Sequence, residues 1–338
     1  MIGSDVQEVK RKVIAILKIL KDSKEPLGAR VIAQNLVIHG VELGERAVRY
    51  HLKQMDEGGL TELVGRDGRI ITKRGMEELK SALVRDKVGF AISRIELLAF
   101  RTNFDLDKGT GQVPVNISYF PEGLFFQSLR MMKPVFQKGL CVSDLVAIGR
   151  GGERFGEVIV PKGKIAFATV CSIIVNGSLL KAGVPMDSRF GGILEMRGYQ
   201  PLRFVELIHY AGSSMDPSEI FIRAGMTSVT DVVKTGDGKI LANYREIPSM
   251  CRPIVDEVTR KLKKYRLGGI LLCGVASEPV CEIPVDLNRS GIVLVGGMNP
   301  VAAAVENGVY VENNAMSMLI DYEKLVKVDE IFSESATD

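Results

Sequence analysis

The first sixty residues repeat apolar side chains at helical spacing. Apolar positions recur every three or four residues over 6–20, which predicts an amphipathic helix with a possible cap at Asp5. The same spacing predicts a short second helix over 28–37 and a third over 44–57. The N-terminal region is therefore expected to begin with three short amphipathic helices.

The pattern then changes to two short apolar runs. These runs, at 60–64 and 69–72, flank the turn residues 66–68 and predict a β-hairpin. A further helix is predicted from about residue 73 to residue 83. Three helices followed by a hairpin is the order of a winged helix-turn-helix, so this fold is predicted for residues 1–85.

The third helix has two faces of different chemistry. Its apolar stripe is Val48, Leu52 and Met55, and His51 lies at the boundary between the faces. The opposite face carries two arginines, a tyrosine and a lysine: Arg46, Arg49, Tyr50 and Lys53. Arginine reads guanine edges, while lysine and tyrosine reach phosphates, and Arg66 and Arg69 add positive charge on the wing. The face predicts binding to duplex DNA; a solvated basic face used for protein contact is the alternative.

The remaining chain looks like a duplicated unit. Beyond a linking helix at 90–101, residues 102–196 align without gaps on residues 227–321, with thirteen identical pairs over 95 positions. Each copy predicts a strand (113–120 in the first copy and 239–244 in the second), a helix, two more strands, a short helix and a terminal pair of strands. We therefore predict an α+β chain whose larger α/β domain, over 86–332, is built from two pseudo-symmetric repeats and followed by a tail at 333–338. Two similar but unrelated units are the alternative.

Composition narrows the class of protein. The chain has 338 residues, 46% of them hydrophobic, and a net charge of +3. Residues 1–85 carry a net charge of +4 and the remaining residues a net charge of −1, and this uneven distribution is a weak indication of a polyanionic partner. No apolar run reaches membrane-spanning length. Five separated cysteines without a CxxC pair suit a reducing cytoplasm, so a cytoplasmic protein with no structural metal is expected.

Candidate binding residues cluster at turns after predicted strands. Arg150, Gly151 and Gly152 follow one strand and could hold a carboxylate, although a plain tight turn is an equal interpretation. Helix N-termini, which bind anions, are expected after the strands at 165–170 and 291–295. The polar residues there are Cys171, Ser172, Asn176, Ser178 and, as a helix cap in the second copy, Asn299. Arg189 adds a cation in the first copy alone.

Residues that would indicate catalysis are scarce. His209 is the only histidine after residue 51, and no cluster of histidine, cysteine and aspartate has metal-binding spacing. No paired general acid and base stands out. The expectation is therefore a protein that is not an enzyme, with no catalytic residues.

Three segments resemble a known family, the archaeal nitrogen-regulation repressors called NrpR. They are GERAVRYHL at 44–52, TVCSIIVNGSLLKAGVPMDSRFGG at 169–192 and ELIHYAG at 206–212, and the likeness extends to near Phe332. The resemblance implies a dimeric repressor that binds inverted-repeat operators of nitrogen-assimilation genes. It also implies 2-oxoglutarate as the effector that releases the DNA, with no other cofactor. A chain with one such domain resembles the DNA-binding type and allows for a partner protein with further effector domains.

This ligand leads to a hypothesis for the effector site. A dicarboxylate needs cations and oriented N–H groups, so we expect a pocket formed by Arg150, Arg189 and the 171–178 helix start, closed by Asn299. Ligand binding is expected to change the spacing of the two recognition helices in a homodimer. An enzyme domain for a small carboxylate, fused to a winged helix, is the main alternative. An RNA-binding or protein-docking winged helix is another.

Overall fold

The computed structural model describes four stretches of the chain: residues 2–23, 25–38, 41–82 and 89–334. The end of the helix expected to reach residue 83, and the last four residues of the expected tail, lie outside them. Two compact units are present, and the boundary between Leu97 and Leu98 lies inside a helix. The first unit is Met1–Leu97 with Ala211–Ser214, and the second is Leu98–Tyr210 with Met215–Asp338.

The first unit is a winged helix-turn-helix. Its elements are α1 (Ile2–Asp22), α2 (Ala29–Ile38), α3 (Glu45–Glu57), β1 (Thr61–Val64), β2 (Gly68–Ile71) and α4 (Lys73–Ser81). The three helices pack their apolar stripes into one core that includes Leu17, Ile32, Leu36, Val48 and Leu52. Because each stripe recurs at helical spacing, the periodic pattern in the sequence was sufficient to predict this domain.

A glycine determines how the wing joins the helices. Gly68 has φ +131°, and a Cβ at this position would lie 2.3 Å from the carbonyl carbon of Leu27. The close approach lets Leu27 and Arg69 exchange two backbone hydrogen bonds, of 3.0 and 2.9 Å. The hairpin is thereby tied to the chain that precedes α2.

The second unit contains two five-stranded antiparallel sheets. Helix α5 (Phe90–Arg101) contains the boundary between the units. The other helices of the second unit are α6 (Phe125–Gln137), α7 (Ile173–Lys181), α8 (Pro217–Arg223), α9 (Val229–Thr235), α10 (Arg252–Lys264), α11 (Asn299–Glu306) and α12 (Val328–Glu334). Its strands are β3 (Gln112–Pro121), β4 (Leu145–Arg150), β5 (Arg154–Phe155), β6 (Val158–Ile159), β7 (Lys164–Val170), β8 (Asp187–Arg197), β9 (Gln200–His209), β10 (Gly238–Pro248), β11 (Ile270–Cys273), β12 (Arg289–Val295), β13 (Glu312–Asp321) and β14 (Val326–Lys327). The strand orders are β13-β3-β7-β4-β14 and β11-β12-β10-β8-β9, and β5 and β6 form a separate small hairpin.

The two repeats exchange their last strands. In the first repeat, β3, β4 and β7 form one sheet, but β8 pairs with β10 of the second repeat. In the second repeat, β10, β11 and β12 form the other sheet, but β13 pairs with β3 of the first. The predicted fold class of two pseudo-symmetric repeats is confirmed, and the exchange makes the two halves one folded body.

The core of the first sheet is aromatic. Phe120, Phe125, Phe136 and Phe167 are all buried, and α6, α11 and α12 contribute further apolar side chains to the cluster. The ring of Phe167 lies between 5.7 and 6.4 Å from the other three rings. These contacts pack α6 against β3 and β7 of this sheet.

Several boundaries differ from the sequence-based expectations. Helix α1 begins at Ile2, so Asp5 lies inside it and is not its cap. Strand β10 continues to Pro248, beyond the expected end at Tyr244, because the hydrogen-bonded ladders to β8 and β12 extend past that residue. Helix α7 begins at Ile173, so Asn176 lies inside it. Asn299 is the first residue of α11 and not its cap, which is Met298.

The described residues contain no helix that is both long and apolar enough to cross a membrane. The five cysteines all lie within the described residues and form no disulfide, and three of them are buried. Burial raises the pKa of Cys141 to about 12, so its thiol stays protonated at neutral pH. Cys141 therefore has the environment of a side chain that fills space in the hydrophobic core.

Candidate functional site

Helix α3 presents the predicted basic face to solvent. Arg46 and Lys53 are exposed, and 62% of the Tyr50 side chain is accessible. Arg49 is exposed and paired with Glu45 within one helical turn, and Lys53 lies 4.0 Å from Glu57. Exposed pairs of this kind are weak, so they release the cations to a polyanion at small cost. The structure therefore brings these four side chains together on one accessible surface.

The two wing arginines have different environments. Arg66 is exposed in the hairpin turn. Arg69 is partly buried, and its Nε donates to Oδ2 of Asp56 at 2.8 Å. The other oxygen of Asp56 accepts from the Thr61 hydroxyl at 2.6 Å, so one carboxylate at the end of α3 binds both strands of the wing. Arg69 thus connects the wing to α3, whereas Arg66 is free to reach a ligand.

His51 lies on the buried side of α3, not at the boundary expected from the sequence. It is 7% exposed, and its Nδ1 has no hydrogen-bond partner among the described residues. Burial lowers the pKa of His51 below its ordinary value of 6.5, and the charge of Lys12 lowers it further. The folded domain therefore holds His51 in its neutral form.

This environment predicts acid sensitivity of the winged helix. Because the pKa of His51 is lower in the folded than in the unfolded state, stability is complete above pH 6.5 and falls as the pH decreases below that value. We expect His51→Leu to remove this part of the pH dependence. Urea unfolding of both proteins between pH 7.5 and 5 is the measurement, and a constant difference in stability across that range would contradict the prediction.

The Arg150 loop lies at the wrong end of the sheet for the expected effector pocket. Arg150 is opposite Ile165 at the start of β7, whereas Cys171 follows the end of that strand. Five strand residues separate the two ends, a distance of about 17 Å at the usual rise per residue. Arg150 is exposed and Gly151 and Gly152 form the turn before β5. The loop at 150–152 is therefore a tight turn, as the alternative interpretation expected. This loop does not share a pocket with the start of α7.

A buried polar cluster lies at the start of α7. Ser172 Oγ accepts from Asn243 Nδ2 at 3.2 Å, and Asn176 Nδ2 donates to Ser188 Oγ at 3.0 Å. Asn176 Oδ1 and Ser178 Oγ are buried without a hydrogen-bond partner among the described residues. Cys171 is buried, and its backbone N–H donates to Pro114. Four residues predicted from the sequence are therefore together, and two of them have unused hydrogen-bonding capacity.

The predicted contributions of Asn299 and Arg189 require correction. Asn299 is fully buried, and its side chain accepts from the N–H and donates to the C=O of Leu241. Its amide is thus satisfied by backbone and cannot close a pocket. Arg189 is partly exposed, and its guanidinium lies 3.1 Å from Asp187 and 3.9 Å from Glu246. The charge of Arg189 is compensated within the chain.

Sequence reasoning missed Arg245. This arginine lies on β10, one residue beyond the predicted end of the strand, and it is 1% exposed. Its guanidinium is 4.8 Å from the centre of the Tyr210 ring. Burial raises the pKa of Tyr210, partly opposed by the charge of Arg245, so its hydroxyl is a neutral donor to Asn243 Oδ1. The sequence feature that could have identified Arg245 is the pair of charged residues at 245–246, which interrupts a largely apolar strand.

Two protein families match this chain. The family described as NrpR regulatory domains NRD1 and 2 matches residues 88–327. The family described as the Ribonuclease R winged-helix domain matches residues 14–79. The two matches together cover both folded units and agree with their architecture.

Named relatives extend the similarity to almost the whole chain. The Global nitrogen regulator NrpRI of Methanosarcina mazei is 40% identical over 321 residues, which are 95% of this chain and 99% of that protein. The Global nitrogen regulator NrpR of Methanococcus maripaludis is 33% identical over 95% of this chain, but only 56% of that protein is covered. A crystal structure of a nitrogen repressor-like protein from Methanococcus jannaschii matches with a TM-score of 0.60 and 27% identity, over 70% of this chain and 98% of that one. The chain therefore belongs to the NrpR family of nitrogen regulators.

Proposed function

We propose that this protein is a transcriptional repressor of nitrogen-assimilation genes. The observation that carries the proposal is the exposed basic face of α3, formed by Arg46, Arg49, Tyr50 and Lys53 on a winged helix. Such a face fits the major groove, and Arg66 on the wing adds a contact to the adjacent backbone. The names of the relatives support regulation of nitrogen metabolism.

The binding mode in this proposal is that of a homodimer. Two winged helices related by a twofold axis would bind the two half-sites of an inverted repeat about one helical turn apart. The Methanococcus maripaludis relative extends beyond the part matched here, which supports a further proposal that a second effector-domain protein can assist this chain. The site of action is the cytoplasm.

The proposed effector is 2-oxoglutarate. A small dicarboxylate matches the buried polar residues of α7, where Ser172 is the cap residue and Asn176 and Ser178 lie inside the helix. Binding would favour a second arrangement of the effector domain and so release the operator. The competing function is an enzyme acting on a small carboxylate, and the regulator names of the relatives favour repression.

Gel-shift titration tests the proposal directly. We expect the protein to bind a duplex from the upstream region of a nitrogen-assimilation gene more tightly than RNA of equal length, with affinity that falls as salt increases. We expect 2-oxoglutarate to release that duplex. Equal affinity for duplex DNA and RNA would contradict the proposal that the protein is a DNA-binding repressor. Turnover of 2-oxoglutarate would favour the alternative function, an enzyme acting on a small carboxylate.

Calorimetry separates the sequence-derived pocket from other effector sites. The pocket built on Arg150 and Arg189 requires that Arg150→Ala or Arg189→Ala weaken 2-oxoglutarate binding. Full affinity in both variants would exclude these two arginines while leaving the effector itself in place.

A further inference from the structure

Arg245 is a buried cation with no carboxylate in direct contact among the described residues. One of its terminal nitrogens donates to the Tyr244 carbonyl at 3.1 Å and lies at 3.5 Å from that of Phe190. Its Nε is buried and has no hydrogen-bond partner within the part of the chain that the structure describes. Burial of a guanidinium without a carboxylate is costly, and such a group is a natural anion site.

Two carboxylates close to Arg245 in the strand ladder, Glu246 and Asp187, are paired with other cations. Glu246, the next residue, is 2% exposed and pairs with Arg289 at 3.1 Å and with Arg189 at 3.9 Å. Asp187 pairs with Arg189. Within the described residues, none of the ion pairs includes Arg245. A carboxylate supplied by a ligand would complete this arrangement.

Further polar groups converge beside Arg245. Ser188 is its direct neighbour across the β8–β10 ladder, which brings the two side chains to the same face of the sheet. Ser188 in turn accepts from Asn176 of α7, whose Oδ1 is buried and unpartnered. The Tyr210 ring lies against the guanidinium, and its hydroxyl reaches Asn243, which bonds Ser172. Cation, hydroxyls and amides therefore surround one region at the start of α7.

The other repeat has no such site. Ser118 of β3 is the positional equivalent of Arg245 of β10. Ser118 lies opposite Phe167 of β7 and Arg245 lies opposite Ile292 of β12, and Phe167 and Ile292 are equivalent residues of the two repeats. The Ser118 hydroxyl already donates to Asn313 at 2.8 Å. Gly297 occupies the position of Ser172, and a Cβ there would lie 2.4 Å from the Val170 carbonyl oxygen. Of these two equivalent places, both within the described residues, only the one on β10 therefore holds a buried cation.

We infer that Arg245 binds a carboxylate of the effector, with Asn176, Ser188 and the start of α7 as its hydrogen-bonding partners. The inference rests on the proposed function, in which the effector is the dicarboxylate 2-oxoglutarate. Because Arg245 is buried, the face between α7 and the sheet must open to admit the ligand. That opening couples binding to a second arrangement of the domain.

Calorimetry and thermal melting of the full chain with 2-oxoglutarate test this inference. We expect Arg245→Met to weaken binding about tenfold to a hundredfold, the usual contribution of hydrogen bonds to a charged group. Ligand-free Arg245→Met is expected to melt at the same or a higher temperature, since a buried charge with no contacting carboxylate is removed, but to lose the stabilisation by 2-oxoglutarate. Arg197→Ala, an exposed arginine on β8, is the matched control and keeps the affinity of the unmodified protein.

Asn176→Asp is a second variant, close in shape to the original residue, for the case in which Arg245→Met does not fold. Its new carboxylate would repel the ligand and compete for Arg245, so we expect about tenfold weaker binding. If the unmodified protein binds 2-oxoglutarate and Arg245→Met or Asn176→Asp binds it equally well, the inferred role of Arg245 is overturned, whereas 2-oxoglutarate is retained as the effector. If the unmodified protein does not bind 2-oxoglutarate, the proposed effector is overturned, and the inference with it.

Discussion

Removal of both arginines from the exposed face of α3 is expected to abolish specific operator binding. In Arg46→Ala/Arg49→Ala, two candidate base contacts near the N-terminus of the recognition helix are lost. Each bidentate contact contributes about 1–3 kcal/mol, so we expect operator affinity to fall about a hundredfold or more. The fold should be retained, because both side chains are exposed and α3 packs through Val48, Leu52 and Met55.

A charge-matched control separates base reading from general electrostatics. Lys162→Ala/Lys234→Ala removes the same charge from exposed positions in the second unit. Affinities of both variants are measured by fluorescence anisotropy at several salt concentrations, with a scrambled duplex for comparison. An equal loss in the two double variants would mean that net charge alone drives binding. Unchanged affinity in Arg46→Ala/Arg49→Ala would exclude α3 as the recognition helix.

Phe167→Ala is expected to be the most destabilising single change in the second unit. The side chain is fully buried and packs against Phe120, Phe125 and Phe136. Truncation of such a residue to alanine costs about 3–5 kcal/mol, from lost burial and the cavity that remains. For a unit of this size we expect the melting temperature to fall by about 10 °C.

The control for this change is Phe100→Ala. Phe100 is 74% exposed, so its removal should alter stability by less than about 0.5 kcal/mol. Differential scanning calorimetry of the full chain measures both. A similar loss in the two variants would show that the aromatic cluster around Phe167 does not dominate the stability of this unit.

The strand exchange between repeats has a functional consequence. Each sheet contains a strand from the other repeat, so a change at the start of α7 is transmitted to β8 and from there to β10. Equivalent backbone hydrogen bonds also occur inside each copy, from Cys171 to Pro114 in the first and from Gly296 to Leu241 in the second, both at 2.8 Å. Because the repeats share strands in this way, we expect a rearrangement of one repeat to move the other, which the proposed response to an effector requires.

The sequence by itself determined the winged helix and the repeated character of the larger domain. Helical spacing of apolar residues marks α1, α2 and α3, and it also separates the buried stripe of α3 from its exposed basic face. The repeat spacing predicted equivalent elements, because strands and helices of similar sequence recur 125 residues apart. These are local features, since each depends on residues within one or two turns or strands.

The tertiary structure alone decided which polar residues share a site. Arg150 and Arg189 were predicted to bind one ligand. Arg150 lies at the end of β4, beside the start of β7 and away from the start of α7. Arg189 forms ion pairs with Asp187 and Glu246. Arg245 enters the site only through cross-strand pairing with Ser188 of the exchanged strand. Strand partners and buried charge depend on residues far apart in the chain, and no periodicity along the sequence encodes which strand lies beside which.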